Sequence, residues 1–445
     1  MVEKGKTTLP GKLKGFRDYY DKHAEKRRWI TDQVLNHAKM AGYHSLSTPS
    51  LEKSDVLLGP GGQEIEKEVY RFKDHGNRDV ALRFDLTVPF ARFVAENLGQ
   101  LPLPLKKVQV GEVWRGEKPQ KGRYREFCQA DVDLVGEDSL LADIDIISLL
   151  GNLLGIVVPQ PVTITLGHRT ILSGLISTLF SQMDRSHENT VLTILDKMGK
   201  IPLDKMNELL QNVPGVETSS ASDLLHLLTK VDEKGDSHLD EIQQAVATNT
   251  KATDEITRFK ETIELLREIE SPVRYRVNMS IARGLGYYTG IVFESIVDDL
   301  PNLGSVSSGG RYNQLISRFS PQNIPGIGGS IGVDRVLSVW EEKEKEAENH
   351  RKGVFLIPVH QPARAFAYSL GQKLRENGTT VDLSVSDRKL ANQFKYADRC
   401  CFRFVIVIGE DEWKDRVVSV KDLQTGKQNS KVNPDQLANI IGMEP

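Results

Sequence analysis

One short stretch, WRGEKPQKGRYREF at 114–127, concentrates positive charge in a turn. Five of its fourteen residues are Lys or Arg, although the chain of 445 residues has a formal net charge of only −3. A lone Arg115 after an apolar run would be a solvated strand end. Here, however, a hairpin would bring three guanidinium groups together, and guanidinium donors suit phosphate oxygens. The stretch therefore predicts a polyphosphate site whose tip could also contact nucleic acid. Its charged residues are Arg115, Glu117, Lys118, Lys121, Arg123, Arg125 and Glu126.

A second segment, GIGGSIGVDRVL, is rich in glycine but does not have the spacing of a dinucleotide-binding fingerprint. It predicts a strand that runs into a helix near Val333, with Arg335 in the first turn. Small residues would let a flat ring lie against the backbone while Arg335 covers a phosphate or stacks on the ring. The alternative is a set of helix-packing glycines beside a surface arginine.

A third segment, RYRVNMSIARGLGYYTGIVFES, places Arg283, Tyr287 and Tyr288 around two glycines between strands. Adjacent tyrosines on a strand point to opposite faces, so we expect only one of them to line a pocket. Taken alone, the segment is equally consistent with an aromatic core and an exposed arginine.

The composition is that of a soluble globular protein, with 39% hydrophobic and 27% charged residues. The three cysteines form no C-x-x-C pair, which excludes a zinc knuckle, makes a disulfide framework unexpected and favours a cytoplasmic setting. The N-terminus lacks an apolar segment and does not resemble a secretory signal. The apolar run at 140–158 is interrupted by Asp143, Asp145 and Asn152, which indicates core elements and no membrane span.

The elements that must position these residues fall into two regions. Strand-like runs at 80–90, 105–114 and 126–136, and others after 273, predict a mostly antiparallel sheet with helical cover, an α+β arrangement. A helical unit at about 169–266 is inserted into it, within a domain spanning 1–345. After a charged linker, a strand–helix alternation predicts a separate α/β domain at 353–445.

Together these motifs resemble class II aminoacyl-tRNA synthetases, and specifically the histidyl-tRNA synthetase family. The matching segments are RGEKPQKGRYREFCQADVD, RGLGYYTGIVFE, SSGGRY, GSIGVDRVL and LRFDLTVPFARF, with an N-terminal helix and strand that resemble the family's dimerisation motif. KYADR and VKDLQTG resemble its anticodon-binding domain. The resemblance covers nearly the whole chain. It departs from the family pattern at Gly286 and Asn313, where the family has Asp in RGLDYY and GGRYD.

The resemblance implies an ATP-dependent ligase that activates histidine as the adenylate and transfers it to tRNA(His). It further implies ATP and Mg2+ as cofactors, a homodimer and no membrane. Arg115 and Arg283 would act on the α-phosphate, with Glu117, Arg123 and Arg335 as further ATP contacts. The family's histidine-binding positions correspond to Asp85, Thr87, Gln129, Asp133, Arg283, Tyr287, Tyr288 and Tyr312.

Contact with tRNA would come from local basic patches, because the net charge is too small for a global field. The loop residue Lys121 would lie near the acceptor end. The expected anticodon contacts are Arg388, Lys389, Lys395 and Arg399.

Two alternatives stay open. One is a non-catalytic, synthetase-like regulatory subunit of histidine biosynthesis. The other is a synthetase for threonine, proline or glycine, against which the paired tyrosines argue.

Overall fold

The computed structural model describes residues 11–59, 66–234, 239–281, 287–344 and 351–442. The chain divides into two units, Met1–Lys345 and Glu346–Pro445. Each unit has a sheet and a hydrophobic core of its own.

The first unit is built on an eight-stranded sheet with the order β1-β5-β6-β11-β10-β9-β7-β8. Every neighbouring pair is antiparallel except the two outermost pairs, β1–β5 and β7–β8, so the predicted antiparallel sheet is confirmed. The strands of this unit are β1 (His44–Ser45), β2 (Leu51–Lys53), β3 (Arg71–Lys73), β4 (Asp79–Leu82), β5 (Leu105–Trp114), β6 (Glu126–Val135), β7 (Val162–His168), β8 (Arg274–Val277), β9 (Ile291–Val297), β10 (Ser307–Arg311) and β11 (Gly326–Gly332).

Helices cover the core face of this sheet. Ile30, Val34 and Ala38 recur every four residues along the first helix and are fully buried, because this spacing places them on one face. The helices are α1 (Lys22–Met40), α2 (Ser54–Leu57), α3 (Thr87–Asn97), α4 (Leu140–Val157), α5 (Arg169–Leu179), α6 (Glu188–Leu195), α7 (Leu203–Gln211), α8 (Thr218–Lys234), α9 (Leu239–Ala245), α10 (Thr250–Glu268) and α11 (Val333–Glu344).

By length and composition α4 is apolar enough to cross a membrane, and among the described residues it is the one such helix. More than half of it is buried inside the unit, where it packs on β6 and β11. It therefore has the environment of a core helix. Helices α5 to α10 follow one another between β7 and β8, and the described part of that segment contains no strand.

Only the start of the run VALRFDLTVPF forms a strand and its end forms a helix, so the expectation of a continuous strand was wrong. Strand β4 ends at Leu82, and α3 begins at Thr87. Pro89 is compatible with this helix because it occupies the first turn, where a backbone N–H has no intrahelical acceptor. Strand β4 is the centre of a three-stranded antiparallel sheet with β2 and β3.

The second unit has a five-stranded mixed sheet with the order β13-β12-β14-β15-β16, as expected of an α/β domain. Strands β12, β13 and β14 are parallel, and the hairpin around LQTGKQ adds two antiparallel strands. The strands are β12 (Val354–Pro358), β13 (Val381–Leu383), β14 (Phe404–Ile408), β15 (Val418–Asp422) and β16 (Gln428–Val432). The helices are α12 (Arg364–Glu376), α13 (Leu390–Arg399), α14 (Glu410–Asp415) and α15 (Leu437–Ile441).

Candidate active site

The face of the large sheet opposite the helical core is polar along its central strand β6. Side chains alternate along a strand, so Gln129, Asp131 and Asp133 share one face while the apolar residues between them enter the core. The antiparallel register places Gln109 of β5 opposite Asp131, and Lys107 opposite Asp133. All five side chains are at least nine-tenths buried. The central strands therefore form a buried polar floor.

Glycines on β11 make room for this floor. Gly328 lies opposite Asp133, and a Cβ atom at Gly328 would collide with the Asp133 carboxylate. A Cβ atom at Gly326 would collide in the same way with the ring of Tyr312. The glycine-rich segment thus serves close side-chain approach across the sheet.

Asp133 is held by two partners. The Tyr312 hydroxyl donates to its Oδ1 at 2.6 Å, and Lys107 Nζ lies 2.7 Å from its Oδ2. The Lys107 ammonium also lies 4.8 Å from the centroid of the Phe90 ring. Sequence analysis did not single out Lys107. The available signal was a lysine inside the apolar strand LKKVQV, at an even spacing from polar Gln109.

Asp85 lies just before α3, and its carboxylate is fully enclosed. Its Oδ1 accepts from the Val88 backbone N–H at 3.1 Å, and its Oδ2 accepts from the Tyr287 hydroxyl at 3.1 Å. Burial raises the pKa of Asp85 to about 6, because the backbone hydrogen bond and the charge of Arg115 only partly offset the loss of solvation. Thr87, half-buried in the first turn of α3, also hydrogen-bonds to Tyr287.

The paired tyrosines do not lie on a strand, so that part of the expectation was wrong. Tyr287 and Tyr288 precede β9, which begins at Ile291. Because the chain turns there, their rings are not sent to opposite faces; the centroids are 5.0 Å apart. The Tyr312 ring packs edge-on against Tyr287 at 6.2 Å. Burial, followed by the nearby carboxylates, raises the pKa of the Tyr288 hydroxyl, which stays protonated at neutral pH.

Three arginines lie together beside this floor. Arg115 follows β5 and donates from Nε to the Phe84 carbonyl at 3.0 Å. Arg335, in the first turn of α11 as expected, donates from Nη1 to the Ser305 carbonyl at 2.5 Å. Burial lowers the pKa of Arg335 to about 10, and the charges of Arg123 and Arg115 add to this effect. Like charges this close repel one another and would be compensated by an anion.

The hairpin that carries two of these arginines is arranged differently from the expected cluster. Arg123 Nε pairs with Glu117 Oε2 at 3.1 Å, as expected of an orienting carboxylate. Arg125 instead donates to the Glu117 backbone carbonyl, and Glu126 accepts from the indole N–H of Trp114. Arg335 of α11 thus joins Arg115 and Arg123, whereas the Arg125 guanidinium is engaged by the backbone of the hairpin.

Residues expected to contact tRNA are exposed. Lys121, at the hairpin tip, forms an ion pair with Glu342 of α11. In the second unit the four basic residues lie on α13 and on the loop before it, and Lys389 is the residue that precedes the helix. These four are Arg388, Lys389, Lys395 and Arg399, all solvent-exposed.

Arg283 and Gly286 lie outside the described residues. Asn313, the other departure from the family pattern, makes three hydrogen bonds. Its side-chain oxygen accepts from the Gly326 N–H at 3.2 Å, its amide donates to Asp138 at 3.3 Å, and its backbone N–H donates to Thr289 Oγ1. An aspartate here would face Asp138 without a donor, which gives asparagine a physical reason at this position.

The histidyl-tRNA synthetase family model matches residues 15–336, and that of an anticodon-binding domain matches residues 353–443. A histidine–tRNA ligase of Helicobacter hepaticus is 38% identical over 95% of this chain and 96% of its own. The histidine–tRNA ligase of Rhodopirellula baltica is 37% identical over 97% of this chain and 98% of its own. The crystal structure of histidyl-tRNA synthetase from Nostoc sp. PCC 7120 superposes with a TM-score of 0.81 at 27% identity, covering 98% and 99% of the two chains. The chain belongs to the histidyl-tRNA synthetase family.

Proposed function

We propose that the polar floor binds histidine and that the neighbouring arginines bind ATP. As a histidine–tRNA ligase, the protein uses ATP to join histidine to tRNA. The observation that carries the placement is the cluster of Arg115, Arg123 and Arg335 around a single carboxylate, Glu117. Three guanidiniums and one carboxylate leave an excess of positive charge, which a polyphosphate would neutralise.

Activation joins a carboxylate oxygen of histidine to the α-phosphorus of ATP. The bond from that phosphorus to the bridging oxygen breaks, and pyrophosphate leaves with the negative charge. We assign Arg115, with Arg283, to the α-phosphate, and Glu117, Arg123 and Arg335 to the rest of the nucleotide. Fixed cations stabilise charge that moves towards the leaving group without having to reorganise, which is the main protein contribution to such a step.

In the second step a ribose hydroxyl at the 3′ end of tRNA attacks the adenylate carbonyl, and AMP leaves. We propose that tRNA(His) reaches this site at Lys121. In the second unit it would bind the basic residues Arg388, Lys389, Lys395 and Arg399, whose side chains are exposed and able to meet phosphates.

The histidine pocket would use Asp85, Thr87, Gln129, Asp133 and the three tyrosines Tyr287, Tyr288 and Tyr312. A carboxylate that meets an imidazole N–H gives selectivity, because a competitor without that donor would leave a buried anion unpaired. Asp133 is held in place for this role by Tyr312 and Lys107.

We also propose Mg2+ on the outer phosphates of ATP, where it would neutralise the leaving group. The described residues contain no group of three or more His, Cys, Asp or Glu side chains that could enclose a metal ion. The phosphates of ATP would therefore supply most of the ligands. This mode suits Mg2+, which commonly binds through substrate phosphates and retains several waters.

We propose a homodimer in the cytoplasm. Leu51 of β2 and Phe72 of β3 pair with Leu82 and Val80, two residues apart on β4, so they share one face of the small sheet. Both are more than two-fifths exposed, and exposed apolar faces commonly mark interfaces. The described cysteines are free thiols, which fits a reducing compartment.

Amino-acid-dependent pyrophosphate exchange, measured with each of the twenty amino acids, tests the activity. Histidine alone should support exchange, and tRNA(His) should then be charged with histidine. If none of the twenty amino acids supports exchange, the result would revive the regulatory-subunit alternative, which the named relatives do not favour. Sedimentation that shows only monomer at micromolar protein would contradict the proposed dimer.

A further inference from the structure

One carboxylate of the polar floor has no assigned role. Asp131 is 2% exposed; the charge of Lys107 and the hydroxyl of Ser330, which lies opposite on β11, both act on its carboxylate, yet no described residue hydrogen-bonds to its Oδ1 atom. Within the part of the chain that the structure describes, no Lys or Arg forms an ion pair with it, whereas Asp133 has Lys107 and Tyr312. A buried carboxylate oxygen without a donor is costly, so its presence calls for a ligand that supplies one.

Two further acceptors without donors lie beside it on the same face. Gln109 is directly opposite Asp131 on β5, and Gln129 is two residues before it on β6. Both side chains are at least nine-tenths buried, and within the described ranges nothing hydrogen-bonds to the Oε1 atom of either one. Three buried oxygen acceptors, one of them in a carboxylate, match the three N–H donors of an ammonium group.

Space for such a group exists next to Gln129. Gly332 of β11 lies opposite Gln129, and a Cβ atom there would meet only the Arg335 Cβ at 3.5 Å and the Val306 carbonyl at 3.7 Å. An amino acid with its ammonium group over Gln129 and Asp131 would have room for its carboxylate on the side of Gly332 and Arg335. In that orientation the reacting carboxylate would face the proposed phosphate site.

We infer that Asp131 is a substrate-binding and specificity residue that receives the α-ammonium group of histidine, together with Gln109 and Gln129. The inference rests on the proposed histidine site and adds to it a carboxylate that the family resemblance did not assign. Asp85 would then be a secondary acceptor for the ammonium group, because each of its two oxygens already accepts a hydrogen bond, one from Val88 and one from Tyr287.

The test compares three ligands by calorimetry on the full chain. Histidine and histidinol carry the ammonium group, whereas imidazolepropionate carries the ring and carboxylate but no ammonium. Asp131→Asn keeps the shape and removes the charge. It should weaken the binding of histidine and of histidinol on the order of ten- to a hundredfold, which is the effect of losing one charge-assisted hydrogen bond. The affinity for imidazolepropionate should change by no more than about twofold.

A matched control is Asp298→Asn. Asp298 follows β9, three strands away from β6, where it accepts from Thr163 and pairs with Arg274. This variant should bind all three ligands like the unaltered protein. Three results for Asp131→Asn would each overturn the inference: an equal loss of affinity for all three ligands, a loss of affinity for imidazolepropionate only, or an unchanged affinity for histidine.

A second measurement compares one ligand in two proteins. Histidine binding near pH 7, measured in buffers of different ionisation enthalpy, should release more protons from the unaltered protein than from Asp131→Asn, because the ammonium group requires an ionised Asp131 and the ionisation of the ligand is the same in both. Equal release would count against the assignment. If the unaltered protein shows no histidine-dependent exchange, the proposed function fails; if it shows exchange and Asp131→Asn binds normally, only this inference fails.

Discussion

Replacing Lys107 by Met would test whether the buried ion pair beneath the candidate histidine pocket holds Asp133 in place. Lys107 Nζ lies 2.7 Å from Asp133 Oδ2, and both side chains are only 2% exposed. Methionine keeps most of the apolar stem and removes the charge. Breaking a buried pair by removing one partner costs about 3–5 kcal/mol, mainly because the remaining charge is left unpaired in a poorly solvated site.

The neighbouring residue provides the control. Lys106 projects to the other side of β5 and pairs with Asp145 at 2.9 Å, with the two side chains 31% and 35% exposed. Water screens a pair of this kind, so Lys106→Met should cost at most about 1 kcal/mol. The two variants remove the same chemical group from adjacent positions, and burial is the main difference between them.

Urea unfolding and the Michaelis constants report the result. We expect Lys107→Met to lose several times more stability than Lys106→Met and to raise the histidine KM at least tenfold, while the ATP KM changes less than twofold. Equal small losses of stability in both variants would refute the energetic reasoning. A large loss of stability with an unchanged histidine KM would mean that Asp133 serves the fold and does not bind histidine.

Three further predictions concern the other charged groups. Arg335→Gln should lower histidine-dependent pyrophosphate exchange by about 10²-fold or more, the scale of losing one preorganised donor, with histidine binding by calorimetry changed far less; normal exchange would make Arg335 a helix-packing residue. Lys395→Gln with Arg399→Gln should weaken tRNA binding and flatten its logarithmic salt dependence while exchange is unchanged, and a loss of exchange would contradict this division between units. Burial raises the pKa of Asp131 to about 7, above its unfolded value of about 4, so ionising this carboxylate progressively destabilises the folded protein as the pH rises from about 4 to 7. Asparagine does not ionise, so the stability of Asp131→Asn relative to the unaltered protein, measured by urea unfolding, should increase over that range. A difference that stays constant with pH would show that burial does not destabilise the charged carboxylate.

Much of the site could be predicted from local pattern. Alternation along EFCQADVDL indicates that Gln129 and Asp133 share a face, since that depends only on the geometry of one strand. Arg335 falls in the first turn of α11 because the glycine-rich strand ends immediately before Val333. Family resemblance supplied the roles of these positions, which alternation alone does not.

Other features depended on residues far apart in the chain. Tyr287 meets Asp85 across 202 positions, and Tyr312 meets Asp133 across 179, because the chain turns before β9 and the sheet order places β11 between β6 and β10. The same long-range packing brings Arg335 beside Arg115 and Arg123. Which distant residues meet in this way leaves no signal in the spacing of nearby residues.

The sequence by itself determined the class of protein, through the order of its motifs along the chain. It also determined the antiparallel sheet with its helical cover and the residue types of the candidate site, because strand alternation and helix spacing are local properties. Only the tertiary structure decided which charges are compensated. Asp133 has Lys107 as its counterion, whereas no described residue forms an ion pair with Asp131, although both aspartates lie on one strand and one face. The difference follows from cross-strand register: β5 places a lysine opposite the first and a glutamine opposite the second.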